Sequence, residues 1–169
     1  EVKDPNAVPI TAAHFPDAKF LEYVKQFDTD GNGSLSQAEL EKVTVIYVLG
    51  MGVKDLTGIE FFPELENLDC SENQLTQLDV SKNPKLKRLV CYENKLTSLD
   101  VSGNTSLTEL HCYTNQLTSL NLGENANLDM LNCVVNRLTS LDLSGNANLT
   151  RLSCSSNLLT SLDVSNNPN

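Results

Sequence analysis

The chain has 169 residues, 40% of them hydrophobic, enough for a core built as one domain or as a small cap fused to a short repeat array. Its net charge of -10 repels phosphate backbones and anionic lipid surfaces, which argues against nucleic acid and simple membrane adsorption. The longest apolar-leaning run, Val43 to Val53, is about half of the ~20 residues a bilayer crossing needs, so no direct membrane insertion is expected.

Glu1 opens the chain without a Met, a basic segment or an apolar leader, which reads as a processed or trimmed product. From Pro16 to Phe27 the residues Phe20, Leu21, Val24 and Phe27 fall on one helical face, with Pro16 acceptable in the first turn, and predict an amphipathic helix. The segment from Asp28 to Glu39 then matches the twelve-residue EF-hand pattern at every informative position. Calcium takes oxygen ligands, and here Asp28, Asp30 and Asn32 offer side-chain oxygens, Ser34 a backbone carbonyl, Ser36 a water-bridged contact and Glu39 two carboxylate oxygens. Gly33 permits the sharp turn at the sixth position. Ser36 and Glu39 also form a Ser-x-x-Glu capping box, but an ordinary helix cap leaves the alternating oxygen donors and the glycine unexplained. Calcium is therefore the expected ion, and a single loop suits a structural role better than a paired sensor. This cap spans residues 1–42.

Residues 43–169 repeat. Cys70, Cys91, Cys112, Cys133 and Cys154 are spaced by 21, and around each the chain reads Leu-x-x-Leu-x-Cys-x-x-Asn-x-Leu-Thr-x-Leu or a close variant. A looser rung precedes them at a spacing of 22, with Val43, Ile46, Val48, Val53 and Leu56 in the equivalent places. The array thus holds one degenerate and five regular repeats, and Asn167-Pro168-Asn169 begins a sixth. The pattern resembles the leucine-rich repeat. Each copy has too few apolar residues for its own core, so the coils must stack at the ~4.8 Å strand spacing and merge their interiors. The fold class expected is an α/β solenoid: a right-handed leucine-rich-repeat coil with a parallel concave sheet and a small helical EF-hand-like N-terminal cap.

Each column then has a structural assignment. The cysteines are compact inward hydrophobes, since parallel neighbours ~4.8 Å apart exceed the ~3.8 Å Cβ separation a disulfide prefers. Asn73, Asn94, Asn115, Asn136 and Asn157 leave the strands, where their amides can satisfy backbone groups of adjacent coils. Asp79, Asp100, Asp142 and Asp163, interrupted by Asn121, would repel unless each caps a local backbone N–H or stays solvated.

With core residues pointing in, alternate strand residues form the concave surface, and its middle collects Arg88, Val90, Tyr92, Glu109, His111, Tyr113 and Val134. Two tyrosines one rung apart beside a mixed-charge edge have the composition of interface anchors. His14 and His111 are far apart in sequence and no catalytic motif accompanies either, so an enzyme is not expected.

The cap, the repeats and the join at Leu56-Thr57-Gly58-Ile59-Glu60-Phe61-Phe62 are similar to those of internalin-type surface leucine-rich-repeat proteins of host-associated bacteria. This chain differs in its cysteine column, its shorter repeat and its full set of calcium ligands. The resemblance implies an extracellular or cell-surface binding module that recognises a host or neighbouring-cell protein through its concave face. The alternatives are a non-binding spacer presenting a downstream domain and a glycan-binding module. A monomer is expected, with end-to-end association of a trimmed fragment through Leu149, Leu152, Cys154, Leu159 and Leu162 as the competing outcome.

Overall fold

The computed structural model describes residues 4–169. In the cap, β1 (Val8–Pro9) precedes α1 (Ala18–Val24), a 3-10 turn (Lys25–Phe27), β2 (Ser34–Leu35) and α2 (Gln37–Leu40). Asp17 caps α1, its Oδ1 accepting from the N–H groups of Lys19 and Phe20 at 2.9 and 3.1 Å. Pro16 therefore stands one place before the cap rather than in the first turn, where its missing N–H leaves no helical bond unmade. β1 pairs antiparallel with β2, Val8 opposite Leu35 and Pro9 opposite Ser34, so the segment ahead of α1 gives the single acidic loop a strand partner.

The array contributes β3 (Val45–Tyr47), β4 (Asn67–Asp69), β5 (Arg88–Val90), β6 (Ser98–Asp100), β7 (Glu109–His111), β8 (Ser119–Asn121), β9 (Met130–Asn132) and β10 (Arg151–Ser153). Six of these form one parallel sheet in the order β10-β9-β7-β5-β4-β3, with Ile46, Leu68, Leu89, Leu110, Leu131 and Leu152 in one row. β6 and β8 pair separately in a second short parallel sheet. Among the described residues the helical turns all lie in the cap or at the join, because the return stretches of a 21-residue coil are too short and too full of turn residues for more. The solenoid is built from strands and turns.

The repeat spacing becomes physical stacking at the cysteines, whose N–H groups reach the next coil: Cys70 N to Val90 O at 2.8 Å, Cys91 N to His111 O at 2.8 Å and Cys112 N to Asn132 O at 2.9 Å. None of the five is bridged, four are buried, and Cys154 at the end of the column is half-buried. Burial pushes the Cys133 thiol up to about 12 and the Cys91 and Cys112 thiols well above their ordinary value, so they stay neutral and unreactive.

Three residues after each cysteine the asparagine amide ties coil to coil. Asn115 Oδ1 accepts from Leu96 N at 3.0 Å, while its Nδ2 donates to Cys91 O, Cys112 O and Tyr113 O at 2.9, 3.2 and 3.4 Å. Strand alternation would aim this residue outward, since three steps from an inward cysteine reverse the face. The residue before it supplies the correction: Glu72, Glu93, Thr114, Val135 and Ser156 all have φ of 50–55°. None is glycine, and a β-branched residue such as Val135 pays for the left-handed conformation with about 1–2 kcal/mol of strain, which the asparagine bonds offset.

A second asparagine column, absent from the sequence reading, runs behind the first. Asn83, Asn104, Asn125 and Asn146 are wholly buried, and Asn104 Nδ2 donates to Val80 O and Asn83 O of the preceding coil at 2.9 and 3.0 Å. The aspartates behave as expected, each accepting from the N–H two residues on, as in Asp79 with Ser81 and Asp142 with Ser144, both at 2.9 Å. Hydrogen bonds from those serines hold the Asp79 and Asp142 carboxyls below their ordinary range.

Cap and array share one core. Phe15 packs edge-on against Phe20 and Phe61, and Phe27 against Phe62, with ring centroids 5.7–5.9 Å apart. Gly58 has φ of 107°, and a Cβ there would lie 2.3 Å from the Phe15 ring, so the join accepts only glycine. Asp17 Oδ2 accepts from Lys54 N at 2.7 Å, and Tyr23 OH accepts from Tyr47 N at 2.9 Å, satisfying a donor on the outermost strand of the sheet. No helix of the described residues is long and apolar enough to cross a membrane.

The two asparagine columns differ in what they protect. Asn115→Ala strands a buried N–H and is expected to lower unfolding free energy by about 3 kcal/mol, whereas Asn104→Ala frees only carbonyls and costs about 1–2 kcal/mol. Urea denaturation of the two variants measures the difference, and equal losses would refute this ranking.

Candidate functional site

On the concave face, strand register brings the expected residues together in two groups. Arg88 lies opposite Glu109 in the adjacent strand, with Nε 3.1 Å from Oε2. The other carboxylate oxygen of Glu109 is 2.6 Å from Nε2 of His111, on the same strand. Burial pushes the Glu109 carboxyl up, but the His111 and Arg88 contacts outweigh it and leave the carboxyl below its ordinary range. One rung position further on, Tyr92 and Tyr113 stack with ring centroids 4.4 Å apart and planes 5° from parallel. Tyr92 OH donates to Glu72 Oε1 at 3.3 Å. Partial burial, together with Tyr92 and the carboxylates of Glu93 and Glu72, raises the Tyr113 phenol above its ordinary value.

One detail differs from the sequence reading. Val90, expected on the surface, is only 3% exposed and supports the face from beneath without offering area to a partner. Val134 is half-buried beside Tyr113. The first rung also carries Tyr47, Leu49 and Met51, exposed at 55%, 48% and 38%. Pairing of Tyr47 with Asp69 puts Leu49 in line with Ser71, Tyr92, Tyr113 and Val134. The 22-residue spacing identifies this rung, but its surface positions were missed because the surface columns were counted from the cysteines, which it lacks.

The cap loop is organised by its own carboxylates. Asp28 Oδ2 accepts from Gly33 N at 2.9 Å, Asp28 Oδ1 and Asp30 Oδ1 both accept from Asn32 N at 3.1 Å, and Asn32 Oδ1 accepts from Ser34 N at 2.9 Å. Glu39 reaches back across the loop: Oε2 accepts from Ser36 N and Oγ at 2.9 and 2.8 Å, and Oε1 from Thr29 N and Oγ1 at 2.6 and 2.7 Å. Thr29 has no place in the ligand pattern, which is why sequence spacing passed over it. Asp28, Asp30 and Glu39 each present an oxygen within 4.8 Å of the others. Of the six expected ligands these three converge; the Asn32 amide turns to Ser34 and Asp30, the Ser36 hydroxyl turns to Glu39, and Ser34 lies in β2. An all-oxygen donor set of this kind has the chemistry that calcium takes.

A cavity of about 700 Å³ lies away from both groups, beside β6. Its carboxylates are committed to their own turns: Asp55 accepts from Thr57 N at 2.8 Å, Glu60 from Gly58 N at 2.7 Å and Asp100 from Ser102 N at 2.9 Å. It shows no set of free polar groups converging on a ligand.

Burial pushes the Glu39 carboxyl up, but the Ser36 and Thr29 hydrogen bonds outweigh it and hold it down at about 2. A depressed carboxylate stabilises the fold above its unfolded value near 4.5 and loses that contribution as pH falls toward 2. Melting temperature recorded between pH 6 and pH 2, both roughly bracketing that window, is expected to show a steeper acid decline for the native chain than for Glu39→Gln. Parallel curves would contradict the assignment.

The chain is similar to known proteins along most of its length. No family model matches it. Internalin J of Listeria monocytogenes serotype 4b (strain F2365) is 40% identical over 70 residues, covering 41% of this chain and 8% of that protein. The solved functional domain of InlJ from Listeria monocytogenes, which includes a cysteine ladder, superposes with a TM-score of 0.63 at 30% identity over 99% of this chain. An internalin, inlF, from Listeria monocytogenes str. 4b F2365 gives a TM-score of 0.68 at 29% identity over 95% of this chain. The chain spans 47% and 48% of those two solved chains. With its stacked coils, parallel sheet and column of thiols, the chain has the leucine-rich-repeat solenoid fold of these internalin structures.

Proposed function

We propose that the chain is an extracellular or cell-surface recognition module that works as a monomer, performs no chemistry, and takes a protein partner on its concave face. The observation that carries this reading is the stacked pair Tyr92 and Tyr113 beside the Arg88–Glu109–His111 network on one continuous sheet. Tyrosine and arginine bury much area for little lost side-chain freedom and dominate interface energetics. The stack and the shared carboxylate fix these side chains before any partner arrives, which lowers the ordering cost of binding. Likeness to internalins supports the same class of activity. Protein capture from a host cell-surface fraction, run beside a glycan array, separates this reading from its rivals. Tyr92→Ala with Tyr113→Ala is expected to cost the protein partner about 2 kcal/mol or more, roughly thirtyfold in Kd. A glycan hit alone, or none from either, would replace protein recognition with sugar binding or a spacer role.

We further propose that calcium binds the cap loop through Asp28, Asp30 and Glu39, with Asn32, Ser34 and Ser36 completing the donors, and locks the cap onto the sheet edge. Bound there, the ion would neutralise the clustered carboxylates and add its binding energy to folding. Calcium roughly a hundredfold above its Kd is expected to raise Tm by about 8 °C, and Asp28→Ala with Asp30→Ala to abolish the rise. An unchanged melt of the native chain would reject metal stabilisation.

A further inference from the structure

The concave face has a chemistry that selects among protein partners. Leu49, Tyr92, Tyr113 and Val134 occupy equivalent positions in successive coils, interrupted only by the short, buried Ser71, and so form an apolar strip across the strands. Beside it stand Glu72 and Glu93, exposed, one coil apart, and held in the left-handed conformation at φ of 53° and 50°. Their backbones are anchored in the ladder, Glu72 N donating to Tyr92 O at 3.0 Å and Glu93 N to Tyr113 O at 3.1 Å. Arg88 is already paired with Glu109, whose other carboxylate oxygen meets His111.

From this strip and its acidic flank we infer that the partner is a basic protein segment, which lays alternating apolar side chains on Leu49, Tyr92, Tyr113 and Val134 and sets arginine side chains against Glu72 and Glu93. The inference rests on the recognition reading above and narrows it to one partner chemistry. Arginine suits the place best: its guanidinium donates to two carboxylates at once and lies flat against tyrosine. Glu72 and Glu93 stand one coil apart, so one guanidinium can face both. A net charge of -10 extends the attraction beyond contact and steers a basic segment toward the face.

The test uses short blocked peptides titrated into the native chain at low salt, with the ring protons of Tyr92 and Tyr113 followed by NMR. A peptide alternating leucine and arginine is expected to shift both rings saturably, to bind more weakly as salt is added, and to outbind its leucine–glutamate counterpart. Glu72→Gln with Glu93→Gln is expected to weaken the arginine peptide roughly five- to tenfold while leaving the melt unchanged. No saturable shift, equal binding of both peptides, or an affinity indifferent to the glutamines would overturn the inference. If the captured surface protein depends on Tyr92 and Tyr113 but not on the two glutamates, the recognition face stands and its basic partner falls. If the arginine peptide binds as expected but no surface protein depends on the tyrosines, the basic subsite stands and the wider reading falls.

Discussion

Everything in this molecule follows from the way an asparagine amide closes the gap between one coil and the next. A 21-residue coil leaves its strand and must turn, and at that turn the backbone N–H and C=O groups of two coils face an interior that offers them no water. Asn94 answers with one acceptor and two donors: Oδ1 takes Leu75 N at 2.9 Å, and Nδ2 reaches Cys70 O and Cys91 O at 2.9 and 3.2 Å. Because the amide must point inward, the residue before it is forced into the left-handed region, and the same requirement recurs at Glu72, Glu93, Thr114, Val135 and Ser156. Local strain is therefore a consequence of the packing rule, repeated once per coil.

That rule also explains which features were legible in the sequence. Columns of leucine, cysteine and asparagine announce themselves by period, and the parallel register of Leu68, Leu89, Leu110 and Leu131 is the same information in space. The left-handed residues carry no common side chain, since what they share is a backbone angle imposed by the residue after them. Asn83 and Asn104 were visible at the right spacing, yet nothing in a single sequence distinguishes an asparagine that makes a turn from one that is wholly buried. Val90 shows the complementary limit. Alternation places it on the concave side, but exposure there depends on how its neighbours crowd over it. In the cap, the spacing of Asp28, Asp30 and Glu39 was enough to bring their oxygens together, while the role of Thr29 depends on the path of the loop back to Glu39.

Charge is distributed by the same architecture. On the far side of the coils, the aspartates sit two residues before a serine N–H and spend their charge on their own turns, as Asp100 does with Ser102. They can recur in adjacent coils because each is locally compensated. On the concave side Asp69 does the same with Ser71, but Glu72 and Glu93 stand where the backbone needs only a left-handed turn, and the Glu72 carboxylate accepts from Tyr92 OH instead of from its own turn. The fold thus fixes the backbone of these residues without a bond from their carboxylates to their own turns.

The cap contributes more than an end-piece. An open parallel sheet presents unpaired donors along its first strand, and here Tyr23 takes the N–H of Tyr47 while Asp17 takes that of Lys54. Both contacts depend on the helix from Ala18 to Val24 being held at a fixed angle, and that angle is set by Phe15 packed against the flat face of Gly58. The acidic loop follows this helix directly, through a single 3-10 turn. Anything that stiffens the loop therefore acts through α1 on the edge of the sheet whose outer strand displays Tyr47 and leads into Leu49, which begins the apolar strip. The cap thus meets the first strand directly, through Tyr23 on Tyr47, while Glu39 ties the loop back on itself through Thr29.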